Sequence, residues 1–302
     1  MIFTTITMNP CLDRREYLND FQIGKTNRSY KTTETVGGKG INVSRELILM
    51  QDLFKSSVRT VTFAGGATGE RLKALLQEEL GVKEGVTGLT VLPSAYDTRI
   101  CTKLITPSGV TEINEEGRLS EEECNALAEV IADIVASDSP QVVFLCGSFP
   151  QGVEINVENS LITLLEGCGI PVVVDTSGRA LVESLVASPS LIKPNENELC
   201  DLHGGAFASE EELVEFCKEI YVDNHTEVLC TLGEKGALFV GAEGVFRILS
   251  HKISGCDPTG AGDAFLAAFC YAKYAEAKSA KEALDFANDY VKEKLLKTVK
   301  AI

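Results

Sequence analysis

A glycine-rich stretch near the C-terminal end of the chain combines a carboxylate with a potential anion site. DPTGAGDAF, residues 257–265, follows a predicted strand that ends near Ile253 and precedes a predicted helix that starts near Asp263. Glycines let the backbone approach a ligand closely, and a helix start presents unpaired N–H groups with a partial positive charge. This combination favours a bound phosphate, with Asp263 available to accept a proton from an attacking hydroxyl. On spacing alone, a turn in which Asp263 only caps the helix is the other interpretation.

A second glycine turn, VGGKGINVSRELI at residues 36–48, also precedes a predicted helix. Its spacing places Lys39 and Asn42 where they can face a small ligand. The stretch does not complete the G-x-G-x-x-G dinucleotide fingerprint, and the chain contains no G-x-x-x-x-G-K-[ST] phosphate loop. The chemistry suggested by the two turns is therefore not that of a common nucleotide-binding motif.

Short apolar runs alternate with longer amphipathic segments through the middle of the chain, which predicts a parallel sheet flanked by helices. Four runs are typical of buried strands: residues 141–147, 171–175, 190–194 and 227–233. Two capping-box pairs mark helix starts: Ser120 with Glu123, and Ser209 with Glu212. We therefore expect an α/β architecture with right-handed crossovers.

Two regions interrupt this alternation. Residues 11–36 are polar, and residues 89–114 contain two alternating strands joined by a turn at residues 107–109. Together they predict a small extra sheet inserted into a single domain of residues 1–302. Because a small sheet with an apolar face is marginal alone, we expect it to pack on the main domain or to form a homodimer with a second copy.

Composition and charge exclude several classes of protein. Of 302 residues, 44% are apolar and 24% are charged, as in globular proteins with a sizeable core. The net charge of −16 opposes nonspecific binding to nucleic acid or to an anionic membrane. Apolar runs such as VVFLC are too short to cross a bilayer of about 30 Å. The N-terminus has no basic leader, so we expect a cytoplasmic protein.

The ten cysteines occur singly, without a Cys-x-x-Cys pair, and the three histidines are equally scattered. This distribution is typical of buried free thiols in a reducing compartment. It predicts no structural zinc site. Cys256 precedes the glycine corner without a visible partner base, so we interpret it as a packed thiol.

The two glycine stretches together resemble the signatures of the PfkB, or ribokinase-like, family of carbohydrate kinases: GGKGINVSR and DPTGAGDAF. Three more stretches resemble other elements of that family: TMNPCLD at 7–13, KPNENEL at 193–199 and TLGEKGA at 231–237. Each is weak alone, but the ordered set covers nearly the whole chain. The resemblance implies an α/β fold, a doubly wound, mostly parallel sheet flanked by helices, with a small β-sheet lid.

The resemblance also implies roles for the matching residues. Asp263 would be the catalytic base. The anion hole would be formed by three backbone groups: Gly260, Ala261 and Gly262. The sugar pocket would contain four residues: Asp13, Gly38, Lys39 and Asn42.

For the phosphate donor, the resemblance implies ATP with magnesium. Asn195 and Glu198 would organise the metal and the ATP phosphates through water, as suits an ion that keeps part of its hydration shell. The nucleotide site would be lined by four further residues: Lys193, Thr231, Gly233 and Gly236.

Basic residues bear on the identity of the sugar. Four of them fall in the expected lid or pocket of an otherwise acidic protein: Arg28, Lys39, Arg99 and Lys103. Any one of them alone is more often a solvated surface residue than a ligand-binding one. Together they favour a phosphate already present on the substrate, which Arg99 can bind bidentately.

Local sequence narrows the expected substrate. Five stretches resemble the branch of the family that contains 1-phosphofructokinases and tagatose-6-phosphate kinases: NPCLD, NR, GGKGINVSR, TR and TEIN. TEIN at 111–114 favours the former. We therefore expect ATP-dependent phosphorylation of a ketohexose phosphate, with fructose 1-phosphate favoured. Tagatose 6-phosphate and fructose 6-phosphate are alternative substrates. A ribokinase or nucleoside kinase and a noncatalytic sugar-phosphate sensor are more distant alternatives.

Overall fold

The computed structural model describes residues 2–54, 57–80 and 87–299. These residues contain the following strands: β1 Ile2–Thr7, β2 Cys11–Tyr17, β3 Lys31–Gly37, β4 Ser57–Ala64, β5 Thr87–Pro93, β6 Arg99–Thr106, β7 Gly109–Asn114, β8 Val142–Cys146, β9 Val172–Asp175, β10 Leu191–Ile192, β11 Glu227–Thr231, β12 Ala237–Gly241 and β13 Gly244–Ile248. They form a nine-stranded sheet in the order β13-β12-β11-β10-β9-β8-β1-β4-β5 and a four-stranded sheet in the order β3-β2-β6-β7.

The large sheet is mostly parallel. Strands β5, β4, β1, β8, β9, β10 and β11 pair in parallel. At one edge, β12 pairs antiparallel with β11, and β13 pairs antiparallel with β12. Because β13 has reversed direction twice, its carboxyl end lies at the same edge of the sheet as those of the parallel strands.

Helices cover both faces of the large sheet. They are α1 Lys39–Phe54, α2 Gly66–Leu80, α3 Glu121–Asp138, α4 Ile155–Gly167, α5 Arg179–Ser184, α6 Glu196–His203, α7 Glu210–Asn224, α8 Ala261–Cys270 and α9 Ala280–Val299. On one face, α3, α4, α6 and α7 contribute to one buried core, and on the other α1, α8 and α9 contribute to a second.

Alternation along the central strands explains these two layers. In β8, Val143 and Leu145 lie in the core with α3 and α4, whereas Val142 and Phe144 lie in the core with α1 and α8. Successive side chains of a strand point to opposite faces, so a fully apolar strand must be buried on both. The expected doubly wound α/β fold is confirmed.

The small sheet contains segments from both polar regions. Strand β2 and all of β3 except its last residue, Gly37, fall within 11–36, and β6 and β7 form a hairpin around residues 107 and 108. Residues 89–93, which the sequence assigned to the small sheet, belong instead to β5 and pair with β4 of the large sheet. The alternation over 89–114 predicted two strands, whereas the range contains the end of β5 as well as β6 and β7. Alternation does not reveal which sheet accepts a strand.

Two local expectations need correction. The strand before the glycine corner ends at Ile248, not near Ile253, because the chain must leave the edge strand β13 to reach α8, which packs against α1. Ser120 and Glu123 form the expected reciprocal capping box. At the second predicted box, Ser209 accepts from the Glu212 N–H, but the Glu212 carboxylate accepts from the Ala208 N–H instead.

All ten cysteines are free thiols. Within residues 2–54, 57–80 and 87–299, no helix is long and apolar enough to span a membrane. The same ranges contain no group of three or more His, Cys, Asp or Glu residues that would hold a metal ion by itself.

Candidate active site

Polar residues follow the carboxyl ends of the parallel strands. Asp175 is the last residue of β9, Lys193 and Asn195 follow β10, and Thr231 ends β11. In doubly wound sheets, ligands bind in the crevice at this edge. The first turns of α1 and α8 meet there as well, as the contact between Asn42 and Asp263 shows.

Asp263 lies in the first turn of α8 and accepts a hydrogen bond from Asn42 Nδ2 at 2.7 Å. This contact joins the two glycine motifs across 221 positions of sequence. Burial raises the pKa of Asp263, and the nearby Asp175 carboxylate raises it further, while the Asn42 hydrogen bond and two lysines oppose the shift. Asp263 is therefore a carboxylate with increased affinity for a proton.

Asp175 is fully buried and forms ion pairs with two lysines. Lys39 Nζ lies 2.8 Å from Asp175 Oδ1, and Lys193 Nζ lies 3.2 Å from Asp175 Oδ2. Burial favours the neutral form of Lys39, but the charge and hydrogen bond of Asp175 outweigh it and raise the Lys39 pKa. One carboxylate thus holds both lysine side chains at the carboxyl edge of the sheet.

Asn195 and Glu198 form a reciprocal capping box at the start of α6. Asn195 Oδ1 accepts from the Glu198 N–H at 2.9 Å, and Glu198 Oε2 accepts from the Asn195 N–H at 2.8 Å. The other carboxylate oxygen, Glu198 Oε1, lies 3.9 Å from Lys39 Nζ. The capping box fixes both side chains and leaves Glu198 Oε1 directed towards the cation.

Thr231 adjoins this group through a bridge to Asn195 and a hydrogen bond from its N–H to the Pro194 carbonyl at 3.0 Å. The turn that follows contains Gly233 and Gly236, with φ of +58° and +104°. A Cβ at Gly236 would lie 2.0 Å from the Ile248 carbonyl oxygen. Close packing of the turn against β13 therefore requires glycine there.

The face of the small sheet that carries Asp13 also carries Lys103, another expected substrate residue. Lys103 Nζ lies 3.1 Å from Asp13 Oδ2. Asp13 Oδ1 is buried and has no hydrogen-bond partner among the described residues. A buried carboxylate oxygen without a partner is costly unless a ligand hydroxyl binds it. At Gly38, φ is +133° and a Cβ would lie 2.8 Å from the Thr7 methyl carbon, so this turn also requires glycine.

The two expected arginines lie in different environments. Arg99 donates from Nη2 to the Asn9 carbonyl at 3.0 Å and from Nη1 to the Glu115 carbonyl at 3.2 Å. Its Nε is buried without a partner among the residues described. Arg28 is exposed on the connection between β2 and β3. The structure therefore brings Arg99, but not Arg28, close to the pocket wall.

The glycine corner begins α8. Gly260 has φ of +74° and precedes the helix, and the Ala261 N–H donates to the Pro258 carbonyl at 3.0 Å. Of the three expected anion-hole groups, Ala261 is thus engaged within the turn. A Cβ at Gly262 would meet nothing within 4 Å, so this position faces open space. Helix geometry leaves the first N–H groups without intrahelical acceptors.

Sequence reasoning missed Asp175 and Arg45. The signal for Asp175 was a carboxylate directly after the apolar run VVV at the end of a buried strand. Arg45 donates from Nη1 to Asn42 Oδ1 at 2.8 Å and also contacts the Glu79 carboxylate. Because Arg45 occupies the amide oxygen of Asn42, the amide nitrogen faces Asp263. The spacing of residues in the sequence does not reveal this chain of hydrogen bonds from Arg45 through Asn42 to Asp263.

The large sheet, the small sheet and the two glycine corners define a ribokinase-like kinase. The chain belongs to the PfkB family of carbohydrate kinases, whose family profile matches residues 6–295. It is 34% identical over 275 residues to a protein named 1-phosphofructokinase from Bacillus subtilis, covering 89% of this chain and 84% of that protein.

A second relative and a solved structure also indicate a sugar-phosphate kinase. A 1-phosphofructokinase from Borreliella burgdorferi is 33% identical over 274 residues, covering 90% of this chain and 84% of that protein. The crystal structure of phosphofructokinase-2 from Escherichia coli in complex with fructose-6-phosphate superposes with a TM-score of 0.85 at 27% identity, covering 98% of this chain and 94% of that one. The protein is therefore a phosphotransferase of the carbohydrate kinase class, and its family uses ATP as phosphate donor.

Proposed function

We propose that this kinase transfers the γ-phosphoryl group of ATP to fructose 1-phosphate and forms fructose 1,6-bisphosphate. The observation that carries the proposal is the hydrogen bond between Asn42 and Asp263, which joins the two glycine corners around one carboxylate. The proteins named 1-phosphofructokinase among its relatives support the choice of sugar.

Asp263 is the proposed catalytic base. It accepts the proton of the attacking sugar hydroxyl, and its raised pKa suits it to that task. The N-terminus of α8, with Gly260, Ala261 and Gly262, stabilises negative charge on the phosphoryl group in transfer, mainly through backbone groups beyond the engaged Ala261 N–H. Because the transition state is loose, positioning and charge stabilisation supply most of the rate.

The sugar half of the site is assigned to the small sheet and to the first turn of α1. Asp13 Oδ1 binds a sugar hydroxyl, which removes the cost of its unpartnered burial. Lys103 and Arg99 supply positive charge next to Asp13 and favour a substrate that already carries a phosphate.

The ATP half is assigned to Lys193, Thr231 and the turn that contains Gly233 and Gly236. Asn195 and Glu198 suit a magnesium ion held through water, because their capping bonds restrict them to one rotamer while Glu198 Oε1 keeps free lone pairs. Magnesium would neutralise charge on the ATP phosphates there. Lys39 is held by Asp175 and adds a fixed positive charge near Glu198.

The small sheet is the proposed lid and the proposed dimer interface. Its edge strand β7 is exposed along its whole length, and Val110 and Ile113 on it are 59% and 56% exposed. An exposed edge with apolar side chains is a favourable surface for association with a second copy. Sedimentation at several concentrations tests this: a dimer in the wild type that Ile113→Asp dissociates supports it, and a monomer throughout overturns it.

The substrate test compares ADP release with Mg-ATP and four acceptors: fructose 1-phosphate, tagatose 6-phosphate, fructose 6-phosphate and ribose. We expect the highest kcat/KM with fructose 1-phosphate, and a value with ribose lower by roughly 10³-fold or more because the phosphate-binding groups remain unpaired. Preference for another ketohexose phosphate would reassign the substrate. Preference for ribose would refute the phosphate argument from Lys103 and Arg99.

A further inference from the structure

An arginine that makes no contact with a partner lies on the face of the small sheet that carries Asp13. In the parallel pairing of β2 with β6, Arg15 aligns with Lys103, and Asp13 aligns with Cys101. Side chains two residues apart in a strand share a face, so Arg15 and Asp13 lie on the same face. The ion pair between Lys103 Nζ and Asp13 Oδ2 at 3.1 Å places Lys103 there as well. Arg15 and Lys103 are therefore neighbours beside the proposed sugar carboxylate.

The guanidinium of Arg15 has free donors within the part of the chain that the structure describes. Arg15 is half-buried, its Nε is buried without a hydrogen-bond partner, and its side chain forms no hydrogen bond or ion pair with another described residue. The neighbouring Arg14 differs, because it donates from Nε and Nη2 to Glu34 Oε1 at 3.1 and 2.9 Å. A guanidinium offers five N–H donors, and a buried donor without an acceptor is costly. An acceptor supplied by a ligand would remove this cost.

The positive charge of Arg15 is also unbalanced. Lys103 lies directly opposite Arg15 on the adjacent strand, and like charges in such a pair are destabilising. Lys103 has two carboxylate partners, Asp13 at 3.1 Å and Glu112 at 3.9 Å, whereas Arg15 has none among the described residues. A bound anion between the two cations would offset their repulsion. The planar fork of an arginine matches the geometry of phosphate in particular.

The face that carries Arg15 is turned towards the cleft. On the opposite face of β2, Leu12 shares a buried core with Leu72 of α2. The charge of Arg15 acts instead on the glycine corner: hydrogen bonds from Thr259 lower the pKa of Asp257, and the positive charge of Arg15 lowers it further, although the two side chains form no ion pair. Arg15 therefore lines the space between the small sheet and the glycine corner, where the substrate is expected.

Arg99 is less suited than Arg15 to the bidentate phosphate contact that the sequence predicted. Each Nη atom of Arg99 already donates to a backbone carbonyl, that of Asn9 or that of Glu115. Arg15 keeps its donors free and lies two residues beyond Asp13 on the same strand, about 6.6 Å along the face. A sugar whose hydroxyl binds Asp13 can therefore extend a terminal phosphate to Arg15.

We propose that Arg15 binds the phosphate group that the sugar carries before the transfer, and that Arg15 and Lys103 together form the phosphate site. This inference deepens the proposed function and rests on it, because it requires an acceptor that is already phosphorylated. The phosphate takes no part in the transfer, so its contact with Arg15 is the same in the ground state and in the transition state. Arg15 thus determines affinity and selectivity for the phosphorylated sugar rather than turnover.

The experiment compares the wild type with Arg15→Gln in ADP release with Mg-ATP and fructose 1-phosphate. We expect the KM of fructose 1-phosphate to rise by roughly 10–100-fold, because a charged hydrogen-bond contact is lost, while kcat changes little. Unphosphorylated fructose, measured as a competitive inhibitor against fructose 1-phosphate, should have the same inhibition constant in both proteins. An unchanged constant also shows that the sugar site of the variant is folded.

Two further variants serve as controls. Arg14→Gln is the matched control, since Arg14 is the adjacent arginine, lies on the opposite face and pairs with Glu34. Its KM should stay within about fivefold of the wild type, because a partly exposed ion pair contributes little. Arg15→Lys keeps the charge but not the fork, so its KM should lie between those of the wild type and Arg15→Gln.

Two results would overturn the assignment of Arg15 to the sugar phosphate. One is a KM of Arg15→Gln no higher than that of Arg14→Gln. The other is an equal rise in the KM of fructose 1-phosphate and in the inhibition constant of fructose, which would indicate a general disturbance of the sugar site. A fall in kcat with an unchanged KM would also contradict it, because Arg15 would then act on the transferred phosphoryl group.

The comparison also separates this inference from the choice of sugar. Wild-type data alone test the proposed function, and the difference between the variant and the wild type tests Arg15. If the wild type prefers another ketohexose phosphate, the same comparison is made with that substrate and its unphosphorylated sugar. The expected rise in KM for the phosphorylated sugar alone is then unchanged.

Discussion

Replacement of Asp263 by Asn tests the proposed base with little change in shape. In the wild type, Asn42 Nδ2 donates to the Asp263 carboxylate at 2.7 Å. The replacement amide keeps an oxygen that accepts this hydrogen bond, so the two glycine corners should stay in contact. What is lost is the capacity to take a proton. A positioned general base contributes about 10²–10⁴-fold, which corresponds to about 3–5 kcal/mol of transition-state stabilisation.

The assay is steady-state ADP release, with sugar binding measured separately by calorimetry. We expect kcat of Asp263→Asn to fall by about 10²–10⁴-fold while the Kd of the sugar changes little. Asp257→Asn is the matched control, since Asp257 lies in the same corner, is exposed and accepts from the Thr259 N–H. Its turnover should stay within about fivefold of wild type, because an exposed charge contributes less than about 1 kcal/mol.

The pH dependence gives an independent check. Burial and the Asp175 carboxylate raise the pKa of Asp263, so the base becomes protonated at a higher pH than an ordinary aspartate with a pKa of 3.8. Activity should therefore fall as the pH falls through this raised pKa. The acid limb should disappear in Asp263→Asn. An unchanged kcat in Asp263→Asn, or an equal loss in Asp257→Asn, would refute the assignment of the base.

Three further perturbations probe the surroundings of the site and the fold. Arg45→Ala should lower kcat more than it raises the sugar KM, because Arg45 orients the Asn42 amide towards the base; equal effects on both parameters would contradict this. Glu158, whose burial raises its pKa to about 8, destabilises the folded state progressively between pH 4.5 and 8. Urea unfolding should show Glu158→Gln gaining stability over wild type on the order of several kcal/mol at pH 8 and little at pH 4.5, and a gain independent of pH would be inconsistent with this. Gly236→Ala should lower stability by about 2 kcal/mol or more because its Cβ meets the backbone of β13, while Gly205→Ala, with open space around it, should not.

The fold was largely predictable because apolar runs and helix starts are local signals. The runs at 141–147 and 171–175 correspond to β8 and β9, and the Ser120 box starts α3 as expected. Strand partners are not local, which is why residues 89–93 were assigned to the wrong sheet. The sequence also could not show that the loop from β13 to α8 begins at residue 249.

The candidate site was only partly predictable. Glycine corners, Asp263 and Asn42 are marked by residue type and spacing, and the structure brings these two side chains together. Asp175 was missed because one aspartate after an apolar run has no distinctive spacing. The bonds of Arg99 to the Asn9 and Glu115 carbonyls depend on how the small sheet meets the loop after β1, which no periodicity encodes.

The most direct test of the central claim is identification of the product. The protein is incubated with Mg-ATP and fructose 1-phosphate, and the mixture is followed by phosphorus NMR. The account predicts fructose 1,6-bisphosphate and ADP in equal amounts, with no free phosphate beyond background. Formation of ADP without the bisphosphate, or consumption of fructose 6-phosphate but not of fructose 1-phosphate, would contradict it.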